Sequence, residues 1–191
     1  MVSDGLLGLM QAGALAPLSL ERPPVCTGVA LGSAALYAAM ADPALVQFAP
    51  VSQTHGQAAL AAVPQLVAIN AAIEIDLLGQ VNGEMLGGRQ VSGTGGLVDF
   101  VRGARASVGG RAIIAATATV GSQMQSRIVP LLAQGATSVT RADADVVVTE
   151  YGAAELRHLG LDARAQALIH IAAPAQREAL QAAWHTLRRT F

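Results

Sequence analysis

The run VVVT at residues 146–149 is the segment that most limits the possible folds. Each of its four residues is branched at Cβ, which favours a strand over a helix. A short run of this kind without polar alternation is typical of a strand deep in the structure, so we expect it in the centre of a sheet. Further extended segments are predicted at 25–32, 45–51, 65–84, 111–119 and 126–132, with 65–84 forming a hairpin or meander in which IEIDL has one solvated face.

Helical patterns alternate with these strands. Ser33 is expected to cap one helix, and Ser3 or Asp4 another, while Pro174 occupies a favoured first helical position. The alternation indicates an α/β fold, an open three-layer mixed sheet, formed as a single domain over residues 1–191. Helices are predicted at 3–15, 34–40, 55–63, 97–107, 152–159, 161–172 and 174–189.

The composition excludes several classes of function. All 12 basic residues are arginine, so a Walker A loop, a Schiff-base lysine and a lysine general base are excluded. A net charge of −1 with no basic cluster argues against a nucleic-acid partner. The single cysteine, Cys26, permits no intrachain disulfide and fits a reducing, cytoplasmic setting. The uncharged stretch 23–41 contains two prolines and two glycines, which argues against a membrane span, and no signal peptide is recognised.

The loop SGTGG at 92–96 precedes the predicted helix at 97–107. It is not the dinucleotide fingerprint, because Val98 stands where a third glycine would be required. Successive glycine amides at a helix start can still form a concave array of donors, to which the helix dipole adds partial positive charge. Such an array can hold a carboxylate, a phosphate or a developing oxyanion. A tight turn beneath the sheet is the alternative interpretation.

Polar residues near the strands are the other candidates. Glu150 and Tyr151 follow the VVVT strand, at the kind of position where α/β sheets bind ligands. The alternative for Glu150, favoured when it is taken alone, is an acid at the start of a helix. Asn70, Glu74 and Asp76 lie in the 65–84 segment. The two carboxylates are capable of acid/base chemistry, or they form a solvated strand face paired with Arg89 or Arg102.

Four stretches carry a resemblance to a known family. The most specific are GTGGLVDF, residues 93–100, and VVTEYGAAEL, residues 147–156. With the longer segments around them, they resemble the C-terminal domain of the acetyl-CoA hydrolase/transferase family, which includes 4-hydroxybutyrate CoA-transferase-like proteins. The similarity runs in family order over about residues 1–182. The four stretches are VAINAAIEIDLLGQVNGE, GRQVSGTGGLVDFVRGA, SRIVPLLAQGATSVTRADADVVVTEYGAAEL and RAQALIHIAAPAQREAL.

The resemblance implies an open α/β domain of the CoA-transferase and sugar-phosphate isomerase type. It also implies transfer of coenzyme A between carboxylic acids, or hydrolysis of acyl-CoA, through a covalent glutamyl-CoA intermediate. CoA thioesters would then be substrates, and no cofactor would be bound permanently. By the same resemblance, Gly95 and Gly96 supply oxyanion-stabilising amides. The resemblance places His55 near the active site, and contacts with the substrate or CoA are further expected from Gly93, Thr94, Asn70, Arg89, Glu150 and Tyr151.

The resemblance also bears on the nucleophile. In the family, the nucleophilic glutamate belongs to a His-Thr-Glu-Met-x-Ser-Asp-Gly segment, and Met1 aligns with the residue just after that glutamate. The expectation is therefore a C-terminal half with little activity alone, completed by an N-terminal half or a separate subunit. The alternatives are a non-catalytic acyl-CoA-binding domain and a dimerisation module, and a homodimer is expected. None of Glu21, Glu74, Glu84, Glu150, Glu155 or Glu178 occupies the nucleophile position.

Overall fold

The computed structural model describes residues 1–16, 23–133 and 135–191, so Glu21 lies outside the described residues. The chain forms two compact units, Met1–Ala59 and Leu60–Phe191. The expectation of one domain over residues 1–191 stays a prediction. The helices are α1 (Gly5–Gln11), α2 (Ala34–Ala39), α3 (Val51–Thr54), α4 (Gln57–Ala61), α5 (Leu97–Ala106), α6 (Leu161–His170) and α7 (Pro174–Leu187), with a final 3-10 turn at Arg188–Thr190.

The strands are short, and most of them belong to the second unit. They are β1 (Val25–Thr27), β2 (Val46–Phe48), β3 (Val67–Ala71), β4 (Glu74–Asp76), β5 (Val81–Asn82), β6 (Met85–Leu86), β7 (Arg89–Gln90), β8 (Arg111–Ala115), β9 (Thr119–Val120), β10 (Gln125–Ser126), β11 (Ile128–Val129), β12 (Val146–Thr149) and β13 (Gly152–Glu155).

The first unit is built around the parallel pair β1–β2. Its small core combines Val25 and Val46 from these strands with Leu36 and Met40 from α2 and its end. As predicted, the Ser33 hydroxyl accepts from the Leu36 amide and caps α2. Asp4 precedes α1 without capping it, since its carboxylate instead accepts from the Ser33 amide and hydroxyl. These bonds, the hydroxyl first, lower the pKa of Asp4.

Replacing Ser33 by alanine should lower the free energy of unfolding of the first unit by about 1 kcal/mol, the usual worth of a helix cap. Urea denaturation at pH 7 measures this, with Ser52→Ala in α3 as a control outside the cap. The pKa of Asp4 is lower in the folded state than in the unfolded state. The bonds between Asp4 and Ser33 therefore add to the free energy of unfolding above the unfolded pKa, and this stabilisation is lost as the pH falls through the folded pKa. A difference between the wild type and Ser33→Ala that does not shrink at acid pH would contradict this coupling.

The second unit contains a four-stranded sheet in the order β13-β12-β8-β3. Strands β3, β8 and β12 are parallel, and β13 is antiparallel to β12. The VVVT strand therefore lies between two others, which confirms the prediction made for it. The sheet face that carries Ala68, Ile114 and Val147 is buried against the helices, and Val101 of α5 and Leu168 of α6 belong to the same core.

Two predictions about this unit are wrong. Residues 152–159 are not helical, because residues 152–155 form β13, which turns back from β12. Asp76 is not on a solvated face: it is fully buried, and four donors satisfy its carboxylate. Those donors are the amides of Leu78, Gln80 and Leu132 and the side-chain amide of Gln80.

Candidate functional site

The glycine loop, defined here as residues 93–96, makes one tight turn before α5 begins. Gly95 has φ +51°, and Gly96 has φ −88° and ψ 9°. The Leu97 amide donates to the Thr94 carbonyl at 3.1 Å and closes the turn. A positive φ at only the first central residue is the pattern of a type II′ turn, for which glycine is the natural choice. The turn therefore explains Gly95 by backbone conformation.

Three backbone donors of this loop are unused in the described structure. Within the described part of the chain, the N–H groups of Thr94, Gly95 and Gly96 donate to no protein acceptor. A Cβ placed at Gly93 or at Gly95 would meet no atom within 4 Å. Packing inside the chain therefore leaves room for a side chain at Gly93. Three adjacent amides without acceptors at a helix start are consistent with an array of donors for an anion, and the oxyanion role of Gly95 and Gly96 stays a prediction.

The base of the loop is held by a network that sequence reasoning missed. The Glu84 carbonyl accepts from the amides of Val91 and Ser92 at 2.9 and 3.1 Å. The Glu84 carboxylate accepts from the Ser138 hydroxyl at 2.8 Å. Asn82, fully buried, accepts from the Glu84 and Met85 amides and shapes the turn between β5 and β6. The Asn82-Gly83 pair is a turn signal that could have indicated this anchor.

The packing of helix α5 places the glycine loop at the edge of the sheet formed by the carboxyl ends of the parallel strands. At the other end of α5, the Ser107 hydroxyl accepts from the Leu66 amide at 3.1 Å, just before β3 begins. The ten residues of α5 rise about 15 Å, and the five residues of β3 extend about 16 Å. Since α5 packs along β3 and β8, its first turn lies where these parallel strands end. That edge is where open α/β sheets bind ligands.

Asn70 and Glu150 belong to the same edge. Asn70 is the fourth residue of β3, and its side-chain nitrogen Nδ2 is buried without a partner among the described residues. Glu150 directly follows β12, and its Oε2 accepts from the Ala118 amide at 2.8 Å. Because β13 follows Glu150, the alternative of an acid at a helix start is wrong. Topology thus brings the loop, Asn70 and Glu150 to one edge.

The remaining predicted residues have different surroundings. Tyr151 is 41% exposed, and the Arg177 guanidinium lies 5.8 Å from its ring centroid. Arg89 is exposed in β7. Arg102 does not pair with Glu74 or Asp76 as one interpretation expects; it contacts Asp143 at 3.3 Å. His55 ends α3 in the first unit, and its Nδ1 lies 2.8 Å from the Thr54 hydroxyl.

The arrangement can stabilise negative charge. It offers backbone donors at a helix start and one unpartnered amide nitrogen. Among the described residues, no group of three or more histidine, cysteine, aspartate or glutamate side chains could hold a metal ion. None of the described helices is both long and apolar enough to cross a bilayer. Donors without acceptors suit a ligand whose oxygen becomes anionic, as a thioester carbonyl does when a nucleophile adds to it.

Comparison with known proteins identifies the family. Residues 32–184 match the acetyl-CoA hydrolase/transferase C-terminal domain. The chain belongs to this family. It is 40% identical over 183 residues to the 4-hydroxybutyrate coenzyme A transferase of Clostridium kluyveri, covering 94% of this chain and 43% of that protein. It is also 40% identical over 195 residues to the succinyl-CoA:cyclohexane-1-carboxylate CoA transferase of Geobacter metallireducens, covering 99% and 44%.

Solved structures agree with the family assignment. RipA from Yersinia pestis superposes with a TM-score of 0.89 at 35% identity, over 98% of this chain and 43% of RipA. The 4-hydroxybutyrate CoA-transferase from Porphyromonas gingivalis has a TM-score of 0.81 at 34% identity, covering 100% of this chain and 44% of that one. The predicted α/β fold of the CoA-transferase type is confirmed. The chain spans less than half the length of these relatives.

Proposed function

We propose that this chain is the C-terminal half of a CoA-transferase or acyl-CoA hydrolase acting on short-chain acyl-CoA thioesters and carboxylates. The observation that carries the proposal is the glycine loop, where the amides of Thr94, Gly95 and Gly96 donate to no acceptor among the described residues and a Cβ at Gly93 or Gly95 would lie in open space. Family membership supplies the chemistry for such donors. Asn70, with its unpartnered Nδ2 at the same edge, contributes a further donor to the substrate.

The reaction proceeds by covalent catalysis with two half-reactions. A glutamate carboxylate attacks the thioester carbonyl, and CoA leaves as a thiolate, which produces an acyl-glutamyl anhydride. The thiolate then attacks the glutamyl carbonyl, releasing the first acid and forming glutamyl-CoA. A second acid reverses these two steps, whereas attack by water would give hydrolysis. Every addition places negative charge on a carbonyl oxygen, which the loop amides stabilise.

The nucleophilic glutamate belongs to an N-terminal half outside these 191 residues, either joined to the chain or supplied as a separate subunit. The relatives support this division, because less than half of their length corresponds to this chain. We assign Glu150 a positioning role, because its Oε2 accepts from the Ala118 amide and so holds the segment after β8. The described exposed face of β3, with Ile69 68% exposed, is consistent with a second copy or a partner half.

A reconstitution experiment tests the proposal. The 191 residues alone, given acetyl-CoA and butyrate, should produce no butyryl-CoA above the protein-free rate. Mixed with or fused to the N-terminal half of the Clostridium kluyveri relative, they should transfer CoA with ping-pong kinetics. A glutamyl-CoA adduct on that half, detected by mass spectrometry, would identify the nucleophile. Rapid turnover by the isolated chain, or an inactive but folded fusion that binds no CoA, would overturn the proposal.

A further inference from the structure

A cavity of about 380 Å³ lies in the second unit, and its lining includes Val91, two residues before the glycine loop. Two hairpins form much of its wall: β6–β7 contributes Leu86 and is followed by Val91, and β9–β10 contributes Val120. These three side chains are 53%, 57% and 39% exposed. Large apolar side chains from separate hairpins, half-exposed around one concave space, are a feature of ligand sites. The volume falls in the range of small-molecule pockets.

The cavity also has one cation with unused donors. Nη1 of Arg127 donates to the Ala72 carbonyl at 2.9 Å and, more weakly, to the Ile73 carbonyl at 3.4 Å. Its Nε is buried with no partner among the described residues. Buried guanidinium donors are normally satisfied, so this group retains capacity for an acceptor that the described chain does not supply. Apolar walls with one such guanidinium match an aliphatic carboxylate.

Glu74 sets a limit on the charge that the cavity accepts. It lines the same space, and β4 runs parallel to β11 with Ile75 opposite Ile128, so Glu74 and Arg127 occupy neighbouring register positions. No ion pair joins them in the described part of the chain; the Glu74 carboxylate instead lies 3.4 Å from Nδ2 of Asn82. One cation therefore faces one anion, and a ligand with a second carboxylate would meet repulsion.

The cavity is close to the glycine loop along the chain. Val91 lines the cavity, and Gly93 follows it by two residues, at most about 7 Å of extended backbone. The Val91 and Ser92 amides share the Glu84 carbonyl, so cavity wall and loop base have one common anchor. The wall of the cavity and the glycine loop are thus fixed to the same part of the fold.

We propose that this cavity binds the free carboxylic acid substrate, an aliphatic monocarboxylate, with Arg127 holding the carboxylate and Leu86, Val91 and Val120 contacting the chain. The inference rests on the proposed function. It assigns Arg127 and Glu74 to substrate specificity: Arg127 attracts one carboxylate, and Glu74 disfavours a dicarboxylate. The apolar wall selects a chain of several carbons over acetate.

Titration of the 191-residue chain with butyrate, followed by NMR, tests this assignment without requiring turnover. We expect saturable binding that Arg127→Gln weakens at least about tenfold, the usual range for a hydrogen bond to a charged group. Glu74→Gln should tighten butyrate binding several-fold. The matched control is Arg188→Gln, a change at an arginine that is 54% exposed, and it should leave binding unaltered. Butyramide, acetate and succinate should all bind more weakly than butyrate.

Two outcomes would overturn the assignment: absence of saturable butyrate binding, or equal effects of Arg127→Gln and Arg188→Gln in variants with unchanged thermal unfolding. A parallel titration with CoA separates this inference from the proposed function. CoA binding without butyrate binding would overturn the cavity assignment alone. Butyrate binding with the expected Arg127 dependence, but without CoA binding, would support the cavity and count against the proposed function.

Discussion

Gly96→Pro should lower kcat/KM for CoA transfer by about 10²- to 10³-fold in the reconstituted enzyme, the effect typical of removing one oxyanion donor. Proline removes the Gly96 N–H, which donates to no described protein acceptor, so the substitution deletes no hydrogen bond of the fold. The φ of −88° at this position is close to the range of proline. The loss should therefore appear in catalysis rather than in stability.

Gly96→Ala is the matched control at the same position. Alanine retains the amide and adopts the observed φ of −88° and ψ of 9° without entering the left-handed region. Its kcat/KM should stay within about tenfold of the wild-type value, well short of losing an oxyanion donor. Steady-state kinetics and thermal unfolding of both variants provide the comparison. If the two variants lost activity equally, steric blockage rather than loss of the amide would account for the effect.

Asp145→Ala should destabilise the second unit by about 3 kcal/mol, at the lower end of the cost of breaking a buried ion pair. Asp145 is fully buried, and its two oxygens accept from Nε and Nη2 of Arg157 at 2.8 and 2.7 Å. It also accepts from the Ala112 amide of β8 at 3.1 Å. Removal of the carboxylate leaves the Ala112 amide without an acceptor, while the Arg157 side chain, 30% exposed, reaches water in part.

The exposed pair Arg111–Glu155 provides the comparison for Asp145. Its side chains are 48% and 61% exposed, and Glu155→Gln should cost less than about 1 kcal/mol, as is usual for surface ion pairs. Urea unfolding of both variants, monitored by the fluorescence of the buried Trp184, measures the difference. Similar free energies of unfolding for the two variants would mean that burial adds little to the Asp145 contribution.

Local sequence pattern correctly predicted the elements that are determined by neighbouring residues or by a continuous apolar run. Helix α5 was expected at 97–107 and extends over Leu97–Ala106, and VVVT is an internal strand. Residues 152–159 have good helix formers, yet residues 152–155 pair with β12, because partners across a sheet override weak helix propensity. Period-two alternation indicated a solvated Asp76, and a single strand cannot reveal the donors that Gln80 and Leu132 contribute.

The candidate site likewise contains parts that the sequence predicts and parts that it does not. The glycine loop was predictable, because a type II′ turn and a helix start depend on adjacent residues. The placement of Asn70 and Glu150 at the same edge follows from parallel strand order, which pattern alone does not determine. Arg127 was missed as a candidate because its surroundings combine β4, two hairpins and the carbonyls of Ala72 and Ile73. Its only sequence signal was membership in a family-like stretch.

The half-exposed cavity wall has a consequence for how substrate preference can change. Leu86 and Val120 belong to hairpins, Val91 directly follows one, and all three stand outside the buried core of the second unit. Exchanging them for larger or smaller side chains opens no cavity in the core. Such changes should therefore alter the free energy of unfolding less than changes at the buried residues Ile114 or Val147. If the proposed assignment holds, mutation at these three surface positions would change which acid is accepted without destabilising the second unit.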